Sequence, residues 1–272
     1  MNIQHLNCGI LHAPPHPPAA CHCLLLENQG RAALIDTGIG LHDVARPLER
    51  IGQPLIDLAG FQFHEAITAS RQIERLGLRP ADVTDVVLTH ADPDHTGGLA
   101  DFPGAAVHLA HEEHARVESG HWRYLPSHFA HGPRWVPHGP SPRRWFGLEA
   151  RPVALRCGAE VLLIPLFGHT LGHCGVAVAH GGRWTLHAGD AYYLRGELES
   201  DNHPVAALAV QRADDDGLRR ASIAALRRLA RDHGADVVMF GYHDFTEFPP
   251  GAGVAVPGSS PRPAAAARQD AV

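Results

Sequence analysis

Residues 88–98 of this 272-residue chain read LTHADPDHTGG, directly after the apolar run TDVVLT. His90, Asp92, Asp94 and His95 therefore crowd together where a buried strand gives way to a loop, the usual place for displayed functional groups. Positions 90, 92 and 94 share one side of an extended segment, and the Gly97-Gly98 pair permits a sharp turn after them. Imidazole nitrogens and carboxylate oxygens at this density suit divalent cations. The competing reading is an Asp-rich turn, or a helix start capped by Asp94 or Thr96. Downstream, FGHTLGH follows VLLIPL and places His169, GD follows RWTLHA and places Asp190, and GYHD follows DVVMF and places His243. Three more apolar runs thus end in Gly plus one potential ligand, which chance explains poorly.

The elements that must position these groups are short. Apolar runs at 23–27, 32–36, 84–89, 105–109, 161–166, 174–179, 183–188 and 236–240 are bounded by Gly or Asp and predict buried strands. Between them, 64–76 carries Ile67, Ser70, Ile73 and Leu76 on one helical stripe before Gly77. Residues 214–233 open on three Asp, continue with Leu218, Ala225, Leu226 and Leu229, and stop at Gly234. Hairpin-like strand neighbours mixed with helices predict an α/β (α+β) fold with sheet layers flanked by helices. Residues 121–146 hold three of the four Trp, four His and five Pro without a clear period. They predict a long irregular loop or insert with a little helix, serving as an ordered lid. From about 251 to 272 the chain is Ala, Pro, Gly, Ser and Arg with little to bury, which predicts a disordered tail behind a single domain at 1–250.

At this point the arrangement resembles the metallo-β-lactamase fold superfamily, most closely its lactonase-like hydrolase branch. The resemblance covers about residues 20–248 and rests on L-I-D-T-G at 34–38, T-H-x-D-x-D-H at 89–95, G-H-T-x-G-H at 168–173, G-D at 189–190, and His243. It implies a four-layer αββα sandwich with two metal ions at the edge where two sheets meet. Carried over by position, His90 and His169 bind the first metal, Asp94, His95 and His243 the second, and Asp190 bridges both. Asp36 is then a structural acid that holds the metal loops.

One departure matters: the usual family motif has His where this chain has Asp92. Aspartate is a harder, anionic ligand. If it completes the first site, Mn or Fe becomes an alternative to Zn, the first expectation; if it fails to reach, one metal is left. Two ions are expected. The resemblance further implies that Tyr193, three residues after Asp190, donates a hydrogen bond to the substrate carbonyl; Tyr192 is the neighbouring ambiguity. Paired divalent ions bring a water's pKa near neutrality and polarise a carbonyl, so no nucleophilic side chain is required. Asp94 is then also a catalytic candidate, orienting water or passing a proton to the leaving group. The expected reaction is hydrolysis of a lactone or similar ester of a small molecule. The alternatives are an iron-dependent oxidoreductase of the same fold and a non-catalytic metal-binding member.

Composition bounds the rest. The net charge is −6 and all 23 cations are Arg, without the clustered basic excess that nucleic acid demands. Five scattered Cys predict reduced thiols, and neither a cationic leader nor a long apolar stretch is present, so a soluble cytoplasmic protein without membrane partners is expected. Whether it is a monomer or a dimer is not written in these patterns. Of the 22 His, four are assigned to metal. His173 and His187 are expected to pack or support, and Cys21-His22-Cys23 to lie in a strand and bind no separate metal.

Overall fold

The strands sort their side chains between two faces, and that alternation organises the computed structural model, which describes residues 1–252. In chain order they are β1 (Asn2–Leu11), β2 (Ala19–Asn28), β3 (Arg31–Ile35), β4 (Phe61–Gln62), β5 (Val83–Val87), β6 (Ala106–Ala110) and β7 (Arg134–His138). There follow β8 (Arg144–Trp145), β9 (Leu148–Glu149), β10 (Arg151–Ala154), β11 (Glu160–Pro165), β12 (Cys174–His180), β13 (Arg183–His187) and β14 (Val237–Phe240). The first sheet runs β4-β1-β2-β3-β5-β6-β7 and the second β10-β11-β12-β13-β14, while β8 and β9 form a small hairpin. From β3 through β5 and β6 to β7 the pairing is parallel, and so is β13 with β14.

Three apolar layers lie between four layers of structure. On β2, Leu24 and Leu26 face the second sheet, where they meet Val161 and Leu163 of β11 and Val176 and Val178 of β12. Cys23 and Leu25, one step out of phase, face away onto Ala69 and Ile73 of helix Ala69–Arg75. On β11, Leu162 and Ile164 face the other way and pack under Leu226 and Leu229 of helix Asp216–His233. The result is the expected αββα sandwich. A one-residue slip of β2 would exchange its two faces, and each buried Leu or Val is worth about 1.5–3 kcal/mol, so the register is firmly set.

The eight expected strands are all present, seven of them within a residue or two at their ends, while β2 starts four residues earlier than the expected 23. β1 was not expected, because NIQHLNCGIL mixes polar with apolar residues. Its buried Asn7 fills a ladder irregularity, accepting the Cys21 N–H at 3.2 Å. The helix expected at 64–76 is broken: a turn of 3₁₀ helix spans Glu65–Ile67, and Thr68 then caps helix Ala69–Arg75 by accepting from the Arg71 N–H. Leu76 and Leu218, placed on apolar stripes, are exposed instead. Residues 121–146 are more regular than an irregular loop, with a helical turn at Pro126–Phe129 and strands β7 and β8. β7 lies at a sheet edge, where its Pro137 is tolerated, and prolines erase the period that would announce it. All five cysteines are buried and free. Among the described residues no helix is long and apolar enough to cross a membrane. The tail expected from 251 lies outside the described residues after Ala252.

Candidate metal centre

Asp36 follows β3 in a left-handed conformation, φ 54°. Its Oδ1 accepts the Thr89 N–H at 2.9 Å, and its Oδ2 accepts the Thr89 hydroxyl at 2.8 Å and His95 Nδ1 at 2.9 Å. Thr89 Oγ1 lies 3.1 Å from His90 Nδ1, so one acid fixes two rings. His243 donates from Nδ1 to the Ala20 carbonyl at 2.8 Å. In each ring one nitrogen is spent on a structural bond, and Nε2 is left to face the interior; this is how histidines are oriented for metals.

The Gly189-Asp190 corner is held from beneath by two more histidines. His173 donates from Nδ1 to the Leu166 carbonyl and accepts the Asp190 N–H on Nε2, both at 2.9 Å. His187 donates from Nε2 to the His22 carbonyl at 2.6 Å and accepts the Gly189 N–H at 3.2 Å. These are the supporting roles the sequence suggested for them. Gly189 sits at φ 57°, and a Cβ there would lie 2.5 Å from His173 Nε2, so only glycine fits.

The seven residues singled out as ligands converge from these strand ends. Ligand atoms of His90, Asp92 and His169 lie within 4.8 Å of one another, as do those of His90, His95 and Asp190, and of Asp94, His95 and His243. Asp190 stands between them, its Oδ2 3.2 Å from His243 Nε2 and 3.5 Å from His169 Nε2, its Oδ1 3.4 Å from His95 Nε2. His90 Nε2, His95 Nε2, Asp94 Oδ2 and Asp190 Oδ1 are buried with no hydrogen-bond partner. An unsatisfied buried polar group costs about 1–3 kcal/mol, so four aimed at one another make sense as a donor set for cations. Mixed nitrogen and oxygen groups of this kind suit divalent cations.

The electrostatics are those of interleaved charges. Burial would raise the Asp190 carboxyl, but His243 and His95 hold it well below the carboxylate range. Burial would lower His95, but Asp36, Asp94 and Asp190 push it well above 6.5. His90 is driven well below its ordinary value by burial and by the neighbouring His95.

Tyr193 is buried, with its hydroxyl 3.4 Å from His169 Nδ1. Tyr192 points elsewhere, donating to Glu247 Oε1 at 3.0 Å. Cys21 and Cys23 face the helix-side core while His22 stacks on Phe240 and Phe248, so this triplet forms no donor cluster.

Two residues at the centre escaped the sequence reading. Arg123, from the 121–146 segment, pairs with Asp92 through both guanidinium arms, at 2.5 and 2.7 Å. Glu113, fully buried on helix His111–Glu118, accepts from the Ala91 N–H, the Tyr124 hydroxyl and the Thr170 hydroxyl, joining three loops around the centre. Burial raises its pKa. The one signal for Arg123 was indirect: an additional buried aspartate at 92 calls for a cation. Nothing in EEH distinguishes Glu113 from a solvated helix residue.

The sequence matches the family model of the metallo-beta-lactamase superfamily over residues 16–242. A protein of Mycobacterium tuberculosis named a probable metallo-hydrolase is 39% identical over 255 residues, spanning 90% of this chain and 80% of the relative. Among solved structures, an N-acyl homoserine lactone hydrolase with N-hexanoyl-L-homoserine bound at its catalytic metal centre aligns with a TM-score of 0.68 at 18% identity, over 90% of this chain and 94% of that one. A dizinc quorum-quenching lactonase aligns with a TM-score of 0.55 at 18% identity, over 84% and 74% of the two chains. At such identities the likeness to the solved structures speaks to the fold.

Proposed function

The chain belongs to the metallo-β-lactamase superfamily, and we propose that it is a metal-dependent hydrolase that opens a lactone or similar ester of a small molecule. His90, Asp92 and His169 would hold one divalent ion and Asp94, His95 and His243 a second, with Asp190 shared. When bound, such ions polarise an ester carbonyl and make water nucleophilic near neutral pH. The observation that carries this reading is the meeting of three overlapping His and Asp groups at the sheet ends, four of whose donor atoms are buried without a hydrogen-bond partner. Support for a lactone comes from a solved structure of the same fold, an N-acyl homoserine lactone hydrolase with N-hexanoyl-L-homoserine bound at its metal centre.

The chain's own groups supply orientation and proton handling. Asp36 keeps the His95 and His90 rings turned so that their Nε2 atoms face inward. Asp94, beside His95 and His243, would also orient the attacking water and return a proton to the leaving alkoxide. Tyr193 would aim its hydroxyl at the carbonyl oxygen as charge develops there. Burial and the nearby Asp190 raise its pKa well above 10, so it remains a neutral donor throughout the working range. Zinc is the first expectation, with manganese or iron admitted by the oxygen ligand Asp92.

Asp92 also favours one second reading, an iron-dependent oxidoreductase. The test is chelator-stripped protein reloaded with Zn, Mn or Fe and assayed on lactones, aryl esters and phosphotriesters, with oxygen uptake followed in parallel. Metal-restored lactone hydrolysis is expected. Oxygen consumption without hydrolysis would favour the second reading, and no activity with any ion would sink both.

A further inference from the structure

Asp92 and His169 share a partner, Arg123, that the other five ligand candidates lack. Arg123 is 5% exposed, and its Nε and Nη2 donate in parallel to the two Asp92 oxygens. The same Nη2 donates to His169 Nε2 at 2.6 Å, and His169 Nε2 is itself 3.2 Å from Asp92 Oδ2. Nη1 donates to the Arg212 carbonyl at 2.7 Å and lies 3.5 Å from Asp214 Oδ1. An imidazole nitrogen has a single in-plane lone pair. On His169 Nε2 that pair is given either to the Arg123 N–H or to a metal, not to both. The His90, Asp92, His169 group is therefore closed by a guanidinium on two of its three members, whereas Asp94, His95 and His243 make no contact with Arg123.

We propose that Arg123 is a built-in competitor cation for the first metal position, and that the two positions load in sequence. This rests on the reading of the centre as a metal site. The group formed by Asp94, His95 and His243 with Asp190 takes its ion first. The His90, Asp92, His169 group takes the second only when the guanidinium withdraws from His169. Charge points the same way: Arg123 already pairs with Asp92, the carboxylate of the first group, and among the described residues no arginine pairs with Asp94 or Asp190. A divalent ion placed among His90, Asp92 and His169 therefore adds like charge beside a buried guanidinium unless Arg123 moves. Asp214 is the place to move to, 3.5 Å away and already ordered by Arg116 at 2.9 Å.

The experiment is equilibrium dialysis of metal-free full-length protein against buffered free zinc, with bound zinc counted directly and cobalt absorption as a second readout. Wild type is expected to bind one equivalent, and a second only at about tenfold or more higher free zinc, a gap of about 1.4 kcal/mol. Arg123→Gln should tighten the second equivalent and shrink the gap. Asp214→Asn, which keeps Arg123 but removes its alternative partner, should widen it, and this variant carries the test if Arg123→Gln does not fold. If wild type loads both equivalents together, or Arg123→Gln loses the second, or Asp214→Asn leaves the gap unchanged, the competitor role is wrong while the metal site stands. If none of the three proteins binds zinc, the metal reading itself fails.

Discussion

Two clusters of buried and half-buried histidines lie close together in this protein and differ in what surrounds them. At the strand ends, His90, His95, His169 and His243 are interleaved with Asp92, Asp94 and Asp190. Nearby, between β1, β2 and β13, His5, His22 and His187 are set among aromatic rings: His22 stacks on Phe240 at 4.3 Å and on Phe248 at 3.6 Å, and His187 meets Phe240 edge-on at 5.1 Å. His5 Nδ1 and His22 Nε2 are hydrogen-bonded at 2.8 Å. Burial lowers His5 to about 4 and drives His22 well below its ordinary value, so these rings stay neutral and pack. His95 and His243 are raised by their aspartates instead. Carboxylate neighbours and an unspent Nε2, not the number of histidines, distinguish a metal centre from a core.

The contrast can be broken most severely at Asp190. Asp190→Ala should lower kcat/KM on a lactone by about 1,000-fold or more, since the several kcal/mol of metal-supplied stabilisation scale at 1.36 kcal/mol per tenfold. Its zinc content should fall as well, and an unimpaired variant would move the centre elsewhere. Tyr193→Phe should reduce kcat by about 100-fold with KM nearly constant, the signature of a donor used as charge develops. Unchanged kcat would remove Tyr193 from the chemistry. Asp36→Asn, which loosens the anchor of His95, should weaken zinc binding by about 10- to 100-fold, as loss of a ligand's hydrogen-bond partner commonly does; equilibrium dialysis reads this directly.

The smallest effect belongs to the aromatic cluster. The folded-state pKa of His5 is depressed to about 4 from 6.5, so below pH 6.5 the unfolded chain binds the proton more readily. The stabilisation that comes from keeping His5 neutral is therefore complete above pH 6.5 and lost as pH falls through about 4. His5→Phe should show its full difference in denaturation midpoint at pH 7 and a reduced or reversed one at pH 5, with zinc content unchanged at neutral pH. A difference that is constant with pH would contradict the depressed pKa.

Much of the centre was legible because it lies where strands stop. Candidate ligands that follow an apolar run and lie beside glycines leave a local signature, which is why His90, Asp94, His95, His169, Asp190 and His243 stand out in the sequence. Arg123 leaves none. It reaches Asp92 from a proline-interrupted segment 31 residues away, and a buried arginine looks like an exposed one until its partner is in place. The same holds for Glu113, whose three hydrogen bonds come from three different loops. In the fold, β2 and β11 announce themselves by apolar density, whereas β1 hides Asn7 inside a ladder irregularity and β7 hides behind prolines. Local pattern records what a strand buries; it does not record which distant side chain completes a polar network.

The most direct test of the distinction between the two clusters is an anomalous-scattering map at the zinc edge from crystals grown with zinc. The strongest peak should lie beside Asp190, His95 and His243, with any second peak beside His90, Asp92 and His169, and none among His5, His22 and His187. Zinc bound within the aromatic cluster, or no zinc beside Asp190, would contradict it.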